Sequence, residues 1–127
     1  MYFHRLQFQC KLRIDLEFRG FNRYDVYDTF YVGNETDFYR LLVANYIDGA
    51  AWGTLRQHSG APFSTYDQDN DETSGENCAA RYQSGWWFDG CSISANLNGN
   101  WSTGVVWTSL SEDGGSITFT EMKLKRN

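Results

Sequence analysis

The sequence predicts an antiparallel β-sheet joined to a long, loop-rich segment pinned by large side chains. Three observations lead there. Five Trp, eight Tyr and nine Phe outnumber all Leu, Ile and Val combined, a balance that favours strands and ring-pinned loops over a helical bundle. Apolar and polar residues alternate in pairs near both ends of the chain. Between them, Phe63 to Asn100 is dense in Gly, Asn, Ser and Asp, yet carries Trp86, Trp87 and two of the three cysteines. The 127 residues suit one domain, and 41% hydrophobic with 21% charged residues excludes a wholly disordered chain.

The elements follow in order. From Cys10 to Phe18, Leu12, Ile14, Leu16 and Phe18 point one way while Lys11, Arg13, Asp15 and Glu17 point the other, the mark of a half-buried strand. Gly20 and Asn22 make a turn. Tyr24 to Val32 alternates again, with Tyr24, Val26 and Phe30 reading as inward. Gly33-Asn34 is a hairpin signal. Asp37 to Tyr46 reads as a third strand, with Tyr39, Leu41 and Val43 on one face, which makes an antiparallel meander. Val105 to Leu110 and Ser116 to Leu124 read as closing strands, and Lys123, Lys125 and Arg126 as a solvated tail. The irregular segment between is expected to be tied down and functional.

Charge and composition narrow the function. The net charge is −5 with a pI near 4.8, so phosphate-contacting nucleic-acid binding is disfavoured. No apolar run approaches the ~20 residues that span a bilayer, so no membrane insertion is expected. The residues after Met1 lack the order of a signal peptide. Three cysteines, Cys10, Cys78 and Cys91, leave at least one outside any pair within the chain. The absence of C-x-x-C argues against a zinc ribbon or a redox motif.

The acid is localised. Asp67, Asp69, Asp71, Glu72 and Glu76 fall in a stretch without Lys or Arg. Carboxylates at two-residue spacing suit Ca²⁺, a hard cation that takes six to eight oxygens. An EF-hand is excluded, because its glycine and glutamate positions are filled by Glu72 and Cys78. The plain alternative is a solvated acidic turn, against which stands like-charge repulsion.

Taken together, Phe63-Ser64-Thr65-Tyr66-Asp67-Gln68-Asp69-Asn70-Asp71, Asn77-Cys78-Ala79, Gly85-Trp86-Trp87, Cys91 and Asn96-Leu97-Asn98-Gly99 resemble the fibrinogen C-terminal globular domain family. So do Leu12 to Leu16, Val32-Gly33-Asn34-Glu35, Gly104 to Trp107 and Thr120 to Lys123, in family order from about residue 3 to the end. The family includes fibrinogen chains, ficolins, tachylectins, angiopoietins and tenascins. The resemblance implies an α+β fold, with a central antiparallel sheet and a loop-rich calcium- and ligand-binding subdomain. It divides the chain at about residues 1–62 and 63–127 and implies that an N-terminal subdomain is missing. It also implies that Cys78 pairs with Cys91; closing that loop of ~14 residues contributes about 3 kcal/mol.

By the same resemblance, Asp69 and Asp71 with the carbonyls of Thr73 and Gly75 hold Ca²⁺. A ligand pocket lies beside them, at Tyr82, Gly90, Cys91, Ser92, Trp101 and Asp113. A cis peptide is implied at Gly90–Cys91, aiming the Cys91 and Ser92 N–H groups at a ligand oxygen. Ser92, Trp101 and Asp113 replace a histidine, a tyrosine and a further aromatic common in acetyl-binding members, so the rim is remodelled. Trp86 and Trp87 read as core packing. Asn34-Glu35-Thr36 and Asn100-Trp101-Ser102 are sequons, making Asn34 and Asn100 candidate glycosylation sites.

The expected function is an extracellular, secreted, calcium-dependent module that binds glycans or acetylated groups, as innate-immune lectins do. The alternative is a protein-binding or cell-adhesion module of the tenascin or angiopoietin kind, with a cell-surface or matrix protein as partner. Oligomerisation through an upstream region is a further expectation. No enzyme is expected. His4 and His58 are the only neutral-pH bases, and no G-x-S-x-G, phosphate loop or H-E-x-x-H occurs.

Overall fold

The computed structural model describes residues 10–51, 53–71, 75–91, 95–99, 105–107 and 117–126. Four strands form the main sheet in the order β3-β2-β1-β6: β1 is Cys10–Phe18, β2 Phe21–Val32, β3 Leu41–Gly49 and β6 Ile117–Arg126. All three pairings are antiparallel. A second, two-stranded sheet joins β4 (Ala95–Asn96) to β5 (Val106–Trp107). Among the described residues a helix, α1, runs from Cys78 to Tyr82, and 3₁₀ turns cover Glu35–Asp37 and Thr54–His58.

β1 behaves as its alternation requires. Leu12, Ile14 and Leu16 are buried, and burying each such side chain contributes roughly 1.5–3 kcal/mol. On the outer face Arg13, Asp15, Lys123 and Glu121 form a chain of exposed ion pairs, of small energetic weight.

β2 departs from the expected alternation. Its fully buried residues are Asp25 and Tyr27, while Tyr24 and Val26 are only partly covered. Val26 lies on the outer face beside Lys11 and Arg13. The β1 pairing shifts from Leu12↔Tyr27 to Cys10↔Phe30, so β2 carries one extra residue between Tyr27 and Phe30, whereas the shift against β3 at Val26/Tyr27 places its extra residue in β3. A bulge adds one residue and flips the face, so Phe30 beyond it packs on the core as expected.

β3 begins at Leu41, not Asp37. The residues before it form a 3₁₀ turn capped by Asn34, whose side chain accepts from the Asp37 N–H. Tyr39 therefore leaves the strand face and is exposed. At the other end, the closing strand continues through Arg126, pairing Lys123 with Arg13 and Lys125 with Lys11. The basic residues expected as a tail are strand residues with exposed side chains.

One buried cluster joins both halves. Leu12, Ile14, Leu16, Tyr27, Leu41 and Val43 of the sheet pack with Trp86, Phe88, Ala95, Val105 and Trp107 of the later segment. Asp25 ties β2 to the segment after β3: its carboxylate accepts from the Ala51 and Gly53 N–H groups at 3.0 and 2.8 Å. His58, also buried, lies 2.8 Å from the Trp87 carbonyl through Nδ1, and its Nε2 accepts from the Ala95 N–H at 3.0 Å. Nδ1 therefore carries the proton in the neutral ring. Burial pushes the Asp25 carboxyl up and the His58 imidazole down from their ordinary values.

Candidate functional site

The acidic residues sit on a tight hairpin after Phe63. Ser64 bridges to Trp86, and Thr65 pairs with Gln68 through reciprocal backbone bonds of 3.1 and 3.0 Å. Asn70 fastens the return leg, its N–H donating to the Ser64 hydroxyl and its amide to the Phe63 carbonyl. Tyr66 stands at the tip, 73% exposed. Asp67 accepts from the Thr65 hydroxyl at 2.7 Å and so belongs to the turn itself.

Asp69 and Asp71 come together. The Asp71 N–H donates to Asp69 Oδ1 at 3.3 Å, and Asp71 Oδ2 accepts from the Cys78 N–H at 3.2 Å. The hydrogen bond and charge of the adjacent Asp71 carboxylate hold the Asp69 carboxyl above its ordinary value. Two like-charged oxygen donors this close fit a hard divalent cation, which would remove the repulsion. Gly75 follows with φ of 81°; Thr73 lies outside the described residues.

Of the expected ligand pocket, Tyr82, Gly90 and Cys91 fall within the described residues. Cys78 and Cys91 are bonded, with Cα atoms 5.1 Å apart. Cys10 takes no part in that bridge. The Gly90–Cys91 peptide is trans, not cis, the ordinary state for a bond not involving proline. Gly90 turns the chain with φ of 87° instead. Tyr82 donates its hydroxyl to the Cys91 carbonyl and stacks on Phe88 with ring centroids 6.0 Å apart. Its hydroxyl is thus engaged by the backbone of the second cysteine of the bridge. Ser92, Trp101, Asp113 and Asn100 lie outside the described residues. Asn34 is 9% exposed and caps the 3₁₀ turn, which leaves little surface for a glycan.

Two open hollows flank the hairpin. One, of about 670 Å³, is lined by Thr65, Tyr66 and Asp67 on one side and Ala80, Gln83, Ser84 and Gly85 on the other. A second, of about 260 Å³, lies across Thr65 between Phe38, Tyr39 and Phe63. Neither is lined by Tyr82, Gly90 or Cys91.

Residues 4–127 match the family of the C-terminal globular domain of fibrinogen beta and gamma chains. This chain belongs to that family. Human fibroleukin is 51% identical over 71% of the chain, and chicken tenascin 42% identical over 94%. Among solved structures, the fibrinogen-like globe domain of human ANGPTL2 superposes with a TM-score of 0.87 at 29% identity over 99% of the chain. That of human ANGPTL6 gives 0.82 at 32% over 95%. A lamprey fibrin D-dimer, complexed with the peptide Gly-His-Arg-Pro-amide, gives 0.80 at 32% over 93%. The chain covers 21% of fibroleukin, 7% of tenascin and 62%, 58% and 45% of the three solved chains.

The family is one of secreted, non-catalytic binding modules, and the disulfide suits an extracellular setting. No helix among the described residues is long and apolar enough to cross a membrane. The α+β fold with its central antiparallel sheet agrees with the sequence expectation. The lectin expectation does not hold. The similar proteins are of the tenascin and angiopoietin-like kind, protein-binding and matrix or growth-factor-like, not calcium-dependent glycan-binding lectins. The innate-immune and carbohydrate-binding assignments fall with it.

Sequence reasoning missed Phe38 and Tyr39 as surface groups and His58 and Asp25 as internal braces. A capping signal was present for the first pair: Asn34, three residues before Asp37, is an ordinary N-cap arrangement.

Proposed function

We propose that this chain is a protein-binding module of an extracellular matrix or growth-factor-like protein, and that its contact surface is the acidic hairpin with the hollow beside α1. The carrying observation is Tyr66, 73% exposed at the hairpin tip beside the roughly 670 Å³ hollow. An exposed tyrosine beside an apolar recess is the kind of anchor that protein interfaces use. Its relatives support the same reading, as does a fibrin of this fold complexed with a peptide.

Calcium belongs to the proposal as a structural ion. Asp69 and Asp71 would hold it, with the carbonyls of Thr73 and Gly75 as further donors, and its charge would order the hairpin that carries Tyr66. The test is adhesion of cells to a surface coated with the chain. Adhesion that is lost after protease shaving of the cells, survives deglycosylation and falls with Tyr66→Ala supports the reading. Adhesion that is lost on deglycosylation but survives protease shaving overturns it.

A further inference from the structure

We propose that the smaller hollow between Phe38, Tyr39 and Phe63 receives one arginine side chain of a partner protein, as a second subsite of the protein-binding surface proposed above, on which this inference rests. Its walls are Glu35, Phe38, Tyr39, Phe63, Gln68 and Asn70, with Thr65 at the junction to the larger hollow.

Phe38 and Tyr39 both take φ of 53°, a left-handed conformation that bulky side chains rarely adopt. The surroundings hold them there. The Phe38 and Tyr39 N–H groups donate to the carbonyls of Glu35 and Asn34, both at 3.0 Å. The Phe38 carbonyl accepts from the Phe63 N–H at 2.8 Å, and the Tyr39 carbonyl from the Trp87 indole at 2.9 Å. The backbone is thus tied inward, and both rings are left about half exposed, at 45% and 46%. Apolar burial does not account for a turn that turns two aromatic rings outward.

The chemistry of the lining selects the occupant. Aromatic rings beside a carboxylate favour a cation, and a planar guanidinium stacks on rings while hydrogen-bonding at its edge. Among the described residues the Glu35 carboxylate has no ion pair. Asn70 uses its amide N–H on the Phe63 carbonyl, which leaves its Oδ1 without a donor among them. The neighbouring Arg40 of the chain itself is engaged elsewhere, held by Asp37 at 3.2 Å and by the Gly60 carbonyl at 2.6 Å. A volume of about 260 Å³ accommodates one long side chain, not a folded element. The charge of the chain, −5, favours approach of a basic segment.

The test is a titration of the ¹⁵N-labelled chain followed by amide shifts, with the blocked peptide Ac-Ala-Arg-Ala-amide at millimolar concentration. Its citrulline analogue has the same shape without the charge, and its lysine analogue has the charge without the plane. The expected result is shifts centred on Phe38, Tyr39 and Gln68 with the arginine peptide, much smaller with the other two. Glu35→Gln weakens binding about tenfold, the loss of one charge-assisted contact. Phe38→Gly abolishes it while the spectrum stays dispersed, because glycine accepts the left-handed turn. Asp69→Asn with Asp71→Asn leaves it intact. Equal shifts with citrulline or lysine, no shifts at all, or shifts centred on residues 67–71 that vanish in the Asp69/Asp71 variant each overturn the site. Cell adhesion by the wild type without these shifts would remove this subsite and leave the module reading standing.

Discussion

The indole N–H of Trp87 donates to the carbonyl of Tyr39 at 2.9 Å, across forty-eight residues of sequence. Trp87 also packs edge-on against Phe30, Phe63 and Trp86. A partly buried tryptophan therefore connects the core to the turn that displays Phe38 and Tyr39. Trp87→Phe keeps most of the packing but removes the donor. We expect a modest loss, about 1 kcal/mol, with amide shifts concentrated at Phe38–Arg40. Denaturant unfolding with an NMR spectrum checks both; a spectrum unchanged at the turn would refute the coupling.

The left-handed pair makes a second prediction. Holding an L-residue in that region costs roughly 1–2 kcal/mol, while a glycine costs chain entropy of about 0.5–1 kcal/mol. Phe38 is nearly half exposed, so little burial is lost on its removal. Phe38→Gly should therefore leave the melting temperature unchanged or slightly raised. A drop of many degrees would show that the ring stabilises the fold.

His58 sets a pH dependence. Burial lowers its folded value below the ordinary 6.5, although the Trp87 carbonyl and Asp89 act the other way. The unfolded chain then takes up the proton first as pH falls. This contribution to stability is complete above about 6.5 and is lost as pH falls through the folded value. The wild type should lose melting temperature between pH 7.5 and 5.5, and His58→Gln should show a smaller slope over that window. Equal slopes in the two proteins would sink the assignment.

Asp25 and Gly49 form a joint brace. A Cβ at Gly49 would meet the Tyr24 carbonyl oxygen at 2.1 Å and Asp25 Cα at 2.7 Å, with φ at 131°. Gly49→Ala must therefore displace β2, and the chain should fail to give a cooperative transition. Asp25→Ala leaves the buried Ala51 and Gly53 N–H groups without their acceptor, a loss on the order of 3 kcal/mol. Burial raises the Asp25 carboxyl, so the folded state holds its proton longer than the unfolded chain. Its own pH term thus weakens the fold as pH rises from about 3.8 through the folded value. Calorimetry of the variants across pH separates the bonding loss from the charge term.

For the proposed calcium ion, stabilisation follows mass action, about 2.7 kcal/mol at a hundredfold excess over Kd. Calcium should raise the melting temperature relative to EDTA, and Asp69→Ala with Asp71→Ala should remove the difference. A wild type indifferent to calcium would eliminate the ion from the site.

Much of the sheet was legible in the chain. Leu12, Ile14 and Leu16 alternate without interruption and are buried as the period requires. Val26 and Tyr24 were not, because the bulge in β2 between Tyr27 and Phe30 changes the face without any local mark. Tyr39 reads as a strand residue until the Asn34 cap is counted. The family could be read from the run of motifs, and it was the family resemblance, not the spacing shared with Asp67, that singled out Asp69 and Asp71. Tyr82 could not be placed: four residues past Cys78 it is as well placed for a ligand as for the disulfide. Only the position of the Cys91 carbonyl directs its hydroxyl inward.

By itself, then, the sequence determined the family, the antiparallel frame and the acidic cluster, because these rest on residue type, local period and the run of motifs. Tertiary structure decided which aromatics serve the core and which serve the surface. Trp86 and Phe88 are enclosed, whereas Phe38, Tyr39 and Tyr66 stay open to solvent. That choice depends on contacts between residues far apart in the chain, such as Trp87 with Tyr39 and His58 with Ala95, and no local pattern encodes those contacts.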